Sequence, residues 1–431
     1  MLTLKLLREQ PEFVIERLAV KNFDAAEIVS KILDADAQRR AAQTQLDSVL
    51  AEQNAKAKEI GMLMKQGKKE EAEEAKKLVA SLKEQSKELE VKMEEHNKEM
   101  NDYLVMLPNI PCAEVPAGKT AEDNVVVREG GNKTELPANA KPHWELAKSH
   151  WELAKSLDII DFDLGVKLTG AGFPVYKGKG ARIQRALIAF FLDMNTKAGY
   201  MEVQPPLVVN EASAYATGQL PDKEGQMYHV TQDNFYMIPT AEVPVTNIYR
   251  DCIVNKADFP VKMTAYTQCF RREAGSYGKD VRGLNRLHQF DKVEIVQLAL
   301  PEKSYEALDG MVKHVESIIQ ALELPYRILR LCGGDMSFTS ALTYDFEVYS
   351  EAQQRWLEVS SVSNFESFQA NRLKLRYKDD EGKTQLAHTL NGSSLALPRI
   401  LAALMENHQD EQGRIHIPAA LREYTGFEWI D

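Results

Sequence analysis

Two groups of arginines, separated by a glycine-containing segment, are the part of the sequence that most clearly suggests chemistry. The first lies in Cys269-Phe-Arg-Arg-Glu-Ala-Gly-Ser276 and the second in Arg282-Gly-Leu-Asn-Arg-Leu-His-Gln-Phe-Asp-Lys-Val-Glu294, which ends in a strand-like run. Two antiparallel strands joined by a turn would direct these guanidinium groups into one groove. A guanidinium keeps its charge at any working pH and donates two parallel hydrogen bonds to a phosphate. Arg271 and Arg286 are therefore candidate phosphate ligands, and the alternative is that they form surface ion pairs with Glu273 and Asp291.

The common nucleotide-binding and metal-binding motifs are absent from the sequence. Neither a GxxxxGK(S/T) loop nor a strand-GxGxxG-helix unit occurs, and Gly170-Ala-Gly172 and Gly178-Lys-Gly180 fit turns better. The four cysteines have no CxxC spacing, so neither a disulfide framework nor a zinc knuckle is indicated. A phosphate-binding site would therefore depend on the arginines.

Length and composition exclude several broad classes of protein. The 431 residues are 44% hydrophobic and 27% charged, which is typical of a globular protein with two or three domains. No run approaches eighteen apolar residues, and the charged N-terminus does not resemble a secretory signal, so we expect a cytoplasmic protein without a membrane partner. The net charge of −11 means that a polyanion must bind to local basic patches.

A proline-free segment from Glu27 to about Leu104, rich in Ala, Lys, Glu, Gln and Leu, predicts two long helices. A three-four spacing of core-type residues runs through each half and breaks near Gly61 to Gly67. The short break makes the helices antiparallel neighbours. At about 1.5 Å per residue, each would be roughly 50 Å long, so this coiled-coil arm must project into solvent.

The predicted turn of the arm is a small basic patch on an acidic protein. Five lysines against one glutamate give residues 56–69 a local charge of +4. These lysines are Lys56, Lys58, Lys65, Lys68 and Lys69. One interpretation is an ordinary solvated coiled coil, and the other is contact with a polyanion. Both remain open at this point.

The helical pattern stops at Leu107-Pro-Asn-Ile-Pro111, and prolines and glycines follow. We expect an N-terminal helical domain over 1–108 with the arm at about 27–104, a linker over 109–142, and a second domain over 143–431. The second domain mixes short β-branched runs and amphipathic helices without regular βαβ units. This predicts an α+β fold with an antiparallel β-sheet flanked by helices.

Within this second domain the strands are expected at 202–209 and 293–298, and the helices at 181–198 and 305–322. A perfect tandem heptapeptide, HWELAKS, occupies 143–149 and 150–156. Seven residues make about two helical turns, so a duplication keeps the same face inward. We interpret it as a recent duplication without a functional role.

The segment from Phe270 to Glu294 closely resembles motif 2 of the class II aminoacyl-tRNA synthetases, and the pattern FRxEAG…RGLxRxHQFxKxE is similar to the seryl-tRNA synthetases. Further similar motifs occur in the same order along the chain. They are Gly218-Gln-Leu-Pro221, Thr240-Ala-Glu242, the segment from Glu358 to Arg372, and His388-Thr-Leu-Asn-Gly-Ser393 followed by Arg399. The resemblance extends over the whole chain, including the arm.

This resemblance implies a class II catalytic domain that activates L-serine with ATP and transfers the seryl group to tRNA(Ser). Charge is displaced at phosphate in this reaction, so positioning and electrostatic stabilisation suffice and no side-chain nucleophile is needed. It further implies Mg²⁺ as a cofactor and a homodimer formed through motif 1 at residues 199–208. The basic patch would bind the tRNA.

Three residues are implied as catalytic. Arg271 resembles the arginine that bridges the serine carboxylate and the α-phosphate, Arg399 resembles the motif 3 arginine on the other side of the triphosphate, and Glu358 resembles a ligand of Mg²⁺. Ser361 resembles the second oxygen ligand of that ion. The whole ATP site is expected to comprise Arg271, Arg272, Glu273, Arg286, Leu287, Phe290, Glu358, Val359, Ser360, Ser361 and Arg399.

The implied serine site comprises Thr240, Ala241, Glu242, Arg271, Glu294 and Ser393. Two carboxylates can accept hydrogen bonds from the ammonium and the hydroxyl of serine. A pocket that binds a hydroxyl rejects an analogue without it by about 10⁴-fold or more, because a buried acceptor would be left unpaired. Threonine must be excluded by size. The alternative for Glu294 is a structural ion pair with Lys292 or Arg271.

Two other functions are compatible with this fold. One is an amino-acid ligase that charges a carrier protein, although such an enzyme does not need an RNA-binding arm. The other is a coiled-coil paralogue that has lost catalysis, although the retained arginines and glutamates argue against it.

Overall fold

The structure is a computed structural model that describes residues 1–131, 148–222, 224–273 and 283–431. Contacts divide the chain into two compact units, which are residues 1–19 with 23–108, and residues 20–22 with 109–431. No helix in the described ranges is long and apolar enough to cross a membrane. Residues 132–142 of the expected linker, 143–147 of the first heptapeptide and 274–282 between the arginine groups lie outside the described residues.

The first unit consists of four helices: α1 (Leu4–Glu9), α2 (Pro11–Ala19), α3 (Ala26–Lys65) and α4 (Lys69–Leu104). The long helices α3 and α4 pack together. The core-type residues that follow the three-four spacing form the seam between them, and they are buried or half-buried. Leu46 and Leu82 are buried, whereas Gln53 and Ile60, nearer the turn, are only half-buried. The two predicted helices are therefore confirmed, and their seam weakens toward the turn.

A buried carboxylate in this unit was not predicted. Asp36 on α3 is 0% exposed and accepts hydrogen bonds from Arg8 of α1 at 2.6 and 2.7 Å. Arg39 and Arg40 donate to it at 3.2 and 3.0 Å. Burial alone would raise the pKa of Asp36, but the three arginines outweigh burial and lower that pKa to about 2. This cluster fixes α1 against α3.

The second unit is built on an eight-stranded sheet. Its strands, in spatial order, are β1 (Val125–Gly130), β11 (Tyr326–Arg330), β12 (Leu342–Ser350), β13 (Arg355–Glu366), β16 (His388–Ala396), β10 (Gln289–Ala299), β9 (Val261–Phe270) and β4 (Met201–Glu202). All neighbours are antiparallel except β4 and β9. The remaining strands are β2 (Ile160–Asp161), β3 (Val175–Tyr176), β5 (Val208–Asn210), β6 (His229–Val230), β7 (Phe235–Met237), β8 (Ile253–Val254), β14 (Arg376–Lys378), β15 (Thr384–Leu386), β17 (Ile415–His416) and β18 (Trp429–Ile430).

Among the described residues of this unit, the helices are α5 (His150–Ser156), α6 (Phe162–Leu168), α7 (Gly178–Lys197), α8 (Glu211–Thr217), α9 (Glu242–Asn247), α10 (Ser304–Ala321), α11 (Ser367–Leu373), α12 (Leu397–Asn407) and α13 (Ala419–Thr425). Helices α7, α10 and α12 pack against the large sheet around one hydrophobic core that includes Phe191, Ile295 and Phe346. The α+β fold and the two predicted helices, α7 and α10, are confirmed.

The predicted strand over 202–209 is wrong. The segment forms two short strands, β4 and β5, which belong to different sheets and are separated by Gln204-Pro-Pro-Leu207. A proline has no N–H to donate to a ladder, so the pair interrupts the strand. The second heptapeptide copy is α5, with Ser149 and Glu152 forming its capping box.

Candidate active site

The sequence-predicted residues converge on one cavity of about 660 Å³ in the second unit. Those that line it are Thr240, Glu242, Arg271, Glu273, Arg286, Leu287, Phe290, Glu294, Glu358, Val359, Ser360, Ser361, Ser393 and Arg399. Side chains alternate along a strand, so Phe290, Lys292 and Glu294 of β10 share one face and all reach the cavity. Antiparallel pairing then places Ser393 of β16 directly beside Glu294.

Two predicted residues do not line this cavity. Ala241 is 0% exposed and packs in a separate hydrophobic cluster with Val245 and Val296. The side chain of Arg272 is exposed, and its backbone N–H donates to the carbonyl of Gln226 at 2.8 Å. Ala241 is the N-cap of α9 and has right-handed helical backbone angles, so its side chain packs inward, and Arg272 lies beyond the end of β9.

Three arginines, Arg271, Arg286 and Arg399, line the cavity. The guanidinium of Arg271 lies 5.2 Å from the centroid of the Phe290 ring, and its Nε donates to the carbonyl of Pro239 at 3.3 Å. Arg286 Nη1 lies 3.2 Å from Glu273 Oε2, so the ion pair considered as an alternative does form. The cation–π interaction with Phe290 holds the Arg271 guanidinium in place and leaves its charge available.

The third arginine, Arg399, lies in the first turn of α12. Its Nε donates to the carbonyl of Asn285 at 3.1 Å, and its Nη1 donates to the carbonyl of Glu358 at 2.6 Å. The Glu358 carboxylate lies 3.5 Å from the same Nη1. Arg399 therefore joins the segment before Arg286 to strand β13 across the cavity.

Two carboxylates and a hydroxyl form an oxygen-rich corner beside Arg399. Asp345 of β12 lies directly opposite Ser361 of β13, and its Oδ1 is buried without a hydrogen-bond partner. Burial and the charge of Glu358 raise the pKa of Asp345, although Ser361 opposes this by donating to it. Mg²⁺ commonly uses one or two carboxylates together with waters and substrate phosphates. In the described ranges, no cluster of three or more His, Cys, Asp or Glu side chains suits a metal.

The cavity is also lined by two buried carboxylates, Glu242 and Glu294, which are 7% and 1% exposed. Glu294 Oε2 lies 2.9 Å from Lys292 Nζ, so the ion pair proposed as the structural alternative is present. Asn391 donates to Glu294 Oε1 at 3.0 Å, and Ser393 donates to Oε2 at 3.5 Å. Glu294 is therefore held in one orientation while it still borders the cavity.

Glu242 is oriented by a second buried chain of hydrogen bonds. Gln369 Nε2 donates to Glu242 Oε1 at 2.6 Å, and Thr389 donates to Gln369 Oε1 at 2.7 Å. Burial raises the pKa of Glu242 to about 7; the negative charge of Glu294 adds to this rise, and Gln369 opposes it. A positive group entering the cavity would bring that pKa down again.

Several cavity residues were missed by the sequence analysis, among them Gln219, Asn285, Lys292, Ser337, Thr339 and Asn391. Gln219 and Asn391 lie inside motifs that had been recognised, and Lys292 shares the two-residue period of Phe290 and Glu294. Those signals were sufficient to find these three. Gln369 also lies inside a recognised motif, the segment from Glu358 to Arg372, but was not assigned a role, and only Asp345 had no local signal.

The lysines of the basic patch belong to the first unit. Lys56 pairs with Glu59 at 2.7 Å and Lys68 with Glu71 at 3.0 Å. Lys58, Lys65 and Lys69 are exposed.

Comparison with known proteins first defines the class. The tRNA synthetase class II core domain (G, H, P, S and T) matches residues 228–408, and the seryl-tRNA synthetase N-terminal domain matches residues 1–111. The sheet and its arginine-lined cavity are thus those of a class II aminoacyl-tRNA synthetase.

Individual relatives then define the family. The chain is 49% identical over 431 residues to a serine–tRNA ligase of Salinibacter ruber, covering 100% of this chain and 99% of the relative. It is 46% identical over 431 residues to a serine–tRNA ligase of Akkermansia muciniphila, with the same coverage. A solved seryl-tRNA synthetase from Pyrococcus horikoshii complexed with ATP has a TM-score of 0.91 and 34% identity, covering 100% of this chain and 99% of that one. The chain belongs to the seryl-tRNA synthetase family, which confirms the resemblance of its motifs.

Proposed function

We propose that this chain activates L-serine with ATP and transfers the seryl group to tRNA(Ser). The observation that carries the proposal is the convergence of Arg271, Arg286 and Arg399 with Glu242 and Glu294 around one cavity, in a chain of this family. The arginines suit a triphosphate, and the buried carboxylates suit an ammonium and a hydroxyl.

In the first step, the serine carboxylate attacks the α-phosphorus of ATP and pyrophosphate leaves. Two anions must approach each other, and Arg271, between the serine end and the phosphate end, would neutralise both. Arg286 would exchange its ion pair with Glu273 for a phosphate oxygen, and Arg399 would hold the triphosphate from the other side. The stacking of Arg271 on Phe290 fixes its position in advance, which is where electrostatic catalysis gains its efficiency.

Serine would be selected by its hydroxyl and by its size. Glu294 accepts hydrogen bonds from Asn391 at Oε1 and from Ser393 at Oε2 and pairs with Lys292 at Oε2, which leaves one acceptor site, on Oε1, for the serine hydroxyl. Alanine would leave this buried acceptor unpaired and lose about 10⁴-fold. Glu242, beside it, would bind the ammonium once it is ionised.

Mg²⁺ fits the oxygen-rich corner, and Glu358, Ser361 and Asp345 would hold it. The unpartnered Oδ1 of Asp345 supports this proposal. When bound, the ion would neutralise charge on the phosphates. A Glu358→Gln variant should need more Mg²⁺ for half-maximal activation than the parent protein, and an unchanged requirement would count against this site.

We further propose a division of labour along the chain, in which residues 1–108 bind tRNA through the arm lysines and residues 143–431 catalyse, in the cytoplasm. The second unit also exposes apolar side chains around motif 1: Met201 is 54% exposed, Val208 40% and Leu207 37%. A homodimer would cover them. Sedimentation equilibrium should give twice the chain mass, and a monomer at micromolar concentration would contradict this.

The decisive experiment for the activity is ATP–pyrophosphate exchange with each amino acid in turn. Exchange should depend on serine. No exchange with serine, together with exchange supported by another amino acid, would end the proposal. The carrier-protein ligase and the silent paralogue have no support among the relatives, whose names specify serine–tRNA ligase.

A further inference from the structure

The second copy of the tandem heptapeptide contains a histidine at the centre of a buried polar network. His150, the first residue of α5, is 0% exposed and lies against Glu406 of α12, which is 2% exposed. The His150 backbone N–H donates to Glu406 Oε1 at 3.0 Å, and the ring Nδ1 lies 2.7 Å from the same oxygen. Helix packing alone does not require this pair, because apolar side chains would fill the space at lower cost.

The other ring nitrogen of His150 holds the segment that leads to Arg286 and Leu287 of the expected ATP site. The backbone N–H of Leu284 donates to His150 Nε2 at 2.9 Å. Because Nε2 accepts, the proton of the neutral ring is on Nδ1, which donates to Glu406. Gly283 fits the same contact: a Cβ there would lie 2.2 Å from Nε2, and its φ is +64°.

Glu406 also reaches this segment by a second route. It accepts a hydrogen bond from Ser350, and Gln353 Nε2 donates to its Oε1 at 3.1 Å. Gln353 Oε1 in turn accepts from Asn285 Nδ2 at 3.0 Å. Burial would raise the pKa of Glu406, but the hydrogen bonds from His150 and Ser350 outweigh it and lower that pKa, so the carboxylate is ionised.

Both routes therefore end on adjacent residues, Leu284 and Asn285. The next two residues along the chain, Arg286 and Leu287, line the ATP end of the cavity, and the carbonyl of Asn285 accepts from Arg399. Because Leu284 and Asn285 are held in place, the backbone that leads to Arg286 is held as well. One of the two carbonyls that accept hydrogen bonds from Arg399 is held with it.

We infer that the His150–Glu406 pair is a positioning device for ATP: it holds residues 283–287 so that Arg286 and Arg399 meet the triphosphate. This rests on the proposed function. It also revises our interpretation of the duplication, because the second copy, although identical in sequence to the first, supplies a residue on which nucleotide binding depends.

Two replacements of His150 separate its two contacts. The amide of Asn superposes on the Nδ1 side of a histidine ring, so His150→Asn retains the donor to Glu406 and loses the acceptor for Leu284. The longer Gln reaches the Nε2 position, so His150→Gln retains the acceptor and loses the donor. Both remove one buried hydrogen bond, and both should lower the melting temperature similarly.

The readout is ATP–pyrophosphate exchange, with the KM measured separately for ATP and for serine. His150→Asn should raise the KM for ATP by about tenfold, because it leaves the Leu284 N–H unpaired, and should change the KM for serine by less than about twofold. His150→Gln should keep the KM for ATP within about threefold of the parent value. Equal KM values for ATP in the two variants, or an equal rise for serine, would overturn the inference and leave only a structural role.

The chain supplies its own matched control in the first copy. His143→Asn, the same substitution in the same heptapeptide, should change neither KM. Each His150 variant is also made with His143→Asn present, so that the other copy cannot supply the imidazole. An effect of His143→Asn equal to that of His150→Asn would contradict the assignment to the second copy.

A variant outside the helix keeps the test independent of α5 folding. Gln353 is half-buried near the β12–β13 turn, and Gln353→Met breaks the route from Glu406 to Asn285 and the hydrogen bond from Arg355 Nε, but leaves both contacts of His150 intact. It should raise the KM for ATP by about threefold and leave the KM for serine unchanged; no rise would contradict the second route. The parent protein is assayed first: if it shows no serine-dependent exchange, the proposed function fails, whereas normal exchange without the ATP-specific pattern rejects only this inference.

Discussion

The coiled-coil arm and the catalytic cavity contain the same kinds of charged side chain in opposite environments. On the arm, pairs such as Lys76 with Glu73, 2.6 Å apart, have side chains 47% and 64% exposed. In the cavity, Lys292 and Glu294 are 2.9 Å apart with side chains 7% and 2% exposed. Water screens the first pair, whereas the second interacts at low dielectric. The arm therefore tolerates replacement of a single charge, and the cavity does not.

Burial of a carboxylate among several arginines is not sufficient to identify a functional site. Asp36 is as buried as Glu294 and is surrounded by Arg8, Arg39 and Arg40, yet it borders no described cavity and its role is to hold helices together. The carboxylates of the active site differ because one side of each faces space that a substrate can fill.

The strongest test of the comparison is Arg271→Ala. Removing the cation between the two reacting anions should lower adenylate formation by about 10³-fold or more and leave tRNA binding intact. Single-turnover adenylate formation measures the first, and filter binding the second. The neighbouring Arg272, whose side chain is exposed, provides the comparison: Arg272→Ala should lose less than about tenfold. Equal losses would mean that the cavity does not distinguish the two positions.

The next largest effect is expected from Glu242→Gln. Loss of a buried carboxylate that would bind the serine ammonium should lower kcat/KM for serine by about 100-fold, with the KM for ATP little changed. Glu224, an exposed carboxylate on the cavity rim, is the matched control, and Glu224→Gln should change kcat/KM by less than about threefold. A larger effect at the rim than at Glu242 would contradict the assignment of the serine pocket.

The arm should respond through binding of RNA and not through chemistry. Replacing Lys65, Lys68 and Lys69 together with Ala should weaken tRNA binding by roughly 30-fold and reduce its salt slope by up to about three, because phosphate contacts release counterions. Pyrophosphate exchange should not change. The control is the same triple replacement at exposed lysines farther from the turn, namely Lys87, Lys92 and Lys98. Equal weakening by both sets would show that general charge, rather than the tip, binds RNA.

The smallest effect is a pH dependence from Glu242. Its pKa is raised to about 7, so in the free protein it should bind serine poorly below that pH, and serine affinity should rise about tenfold between pH 6 and 8. The raised pKa also contributes stability that is fully present below the ordinary pKa near 4.5 and is lost as the pH rises through about 7. Urea unfolding of the parent protein and of Glu242→Gln at pH 5.5 and 8 should show this loss only in the parent. A serine affinity that does not change between pH 6 and 8 would contradict the predicted role of Glu242.

How far the sequence predicts each region follows from the distance over which its contacts form. The seam of the arm repeats every three or four residues, so Leu46 and Leu82 could be assigned to it from spacing alone. Asp345 meets Ser361, and Gln369 meets Glu242, only because strands and helices far apart in the chain are brought together. His150 is an extreme case, since the heptapeptide looks redundant until α12 places Glu406 beside it.

The sequence by itself determined the helical arm, the α+β class, the family and most of the residues around the cavity, because local periodicity and ordered motifs are properties of short segments. Tertiary structure alone decided which charges are desolvated, that Ala241 and Arg272 lie outside the cavity lining, and that His150 of the second heptapeptide contacts both Glu406 and Leu284. These outcomes depend on contacts between distant segments, and the free energy of a charge is set by what surrounds it rather than by its neighbours in the chain.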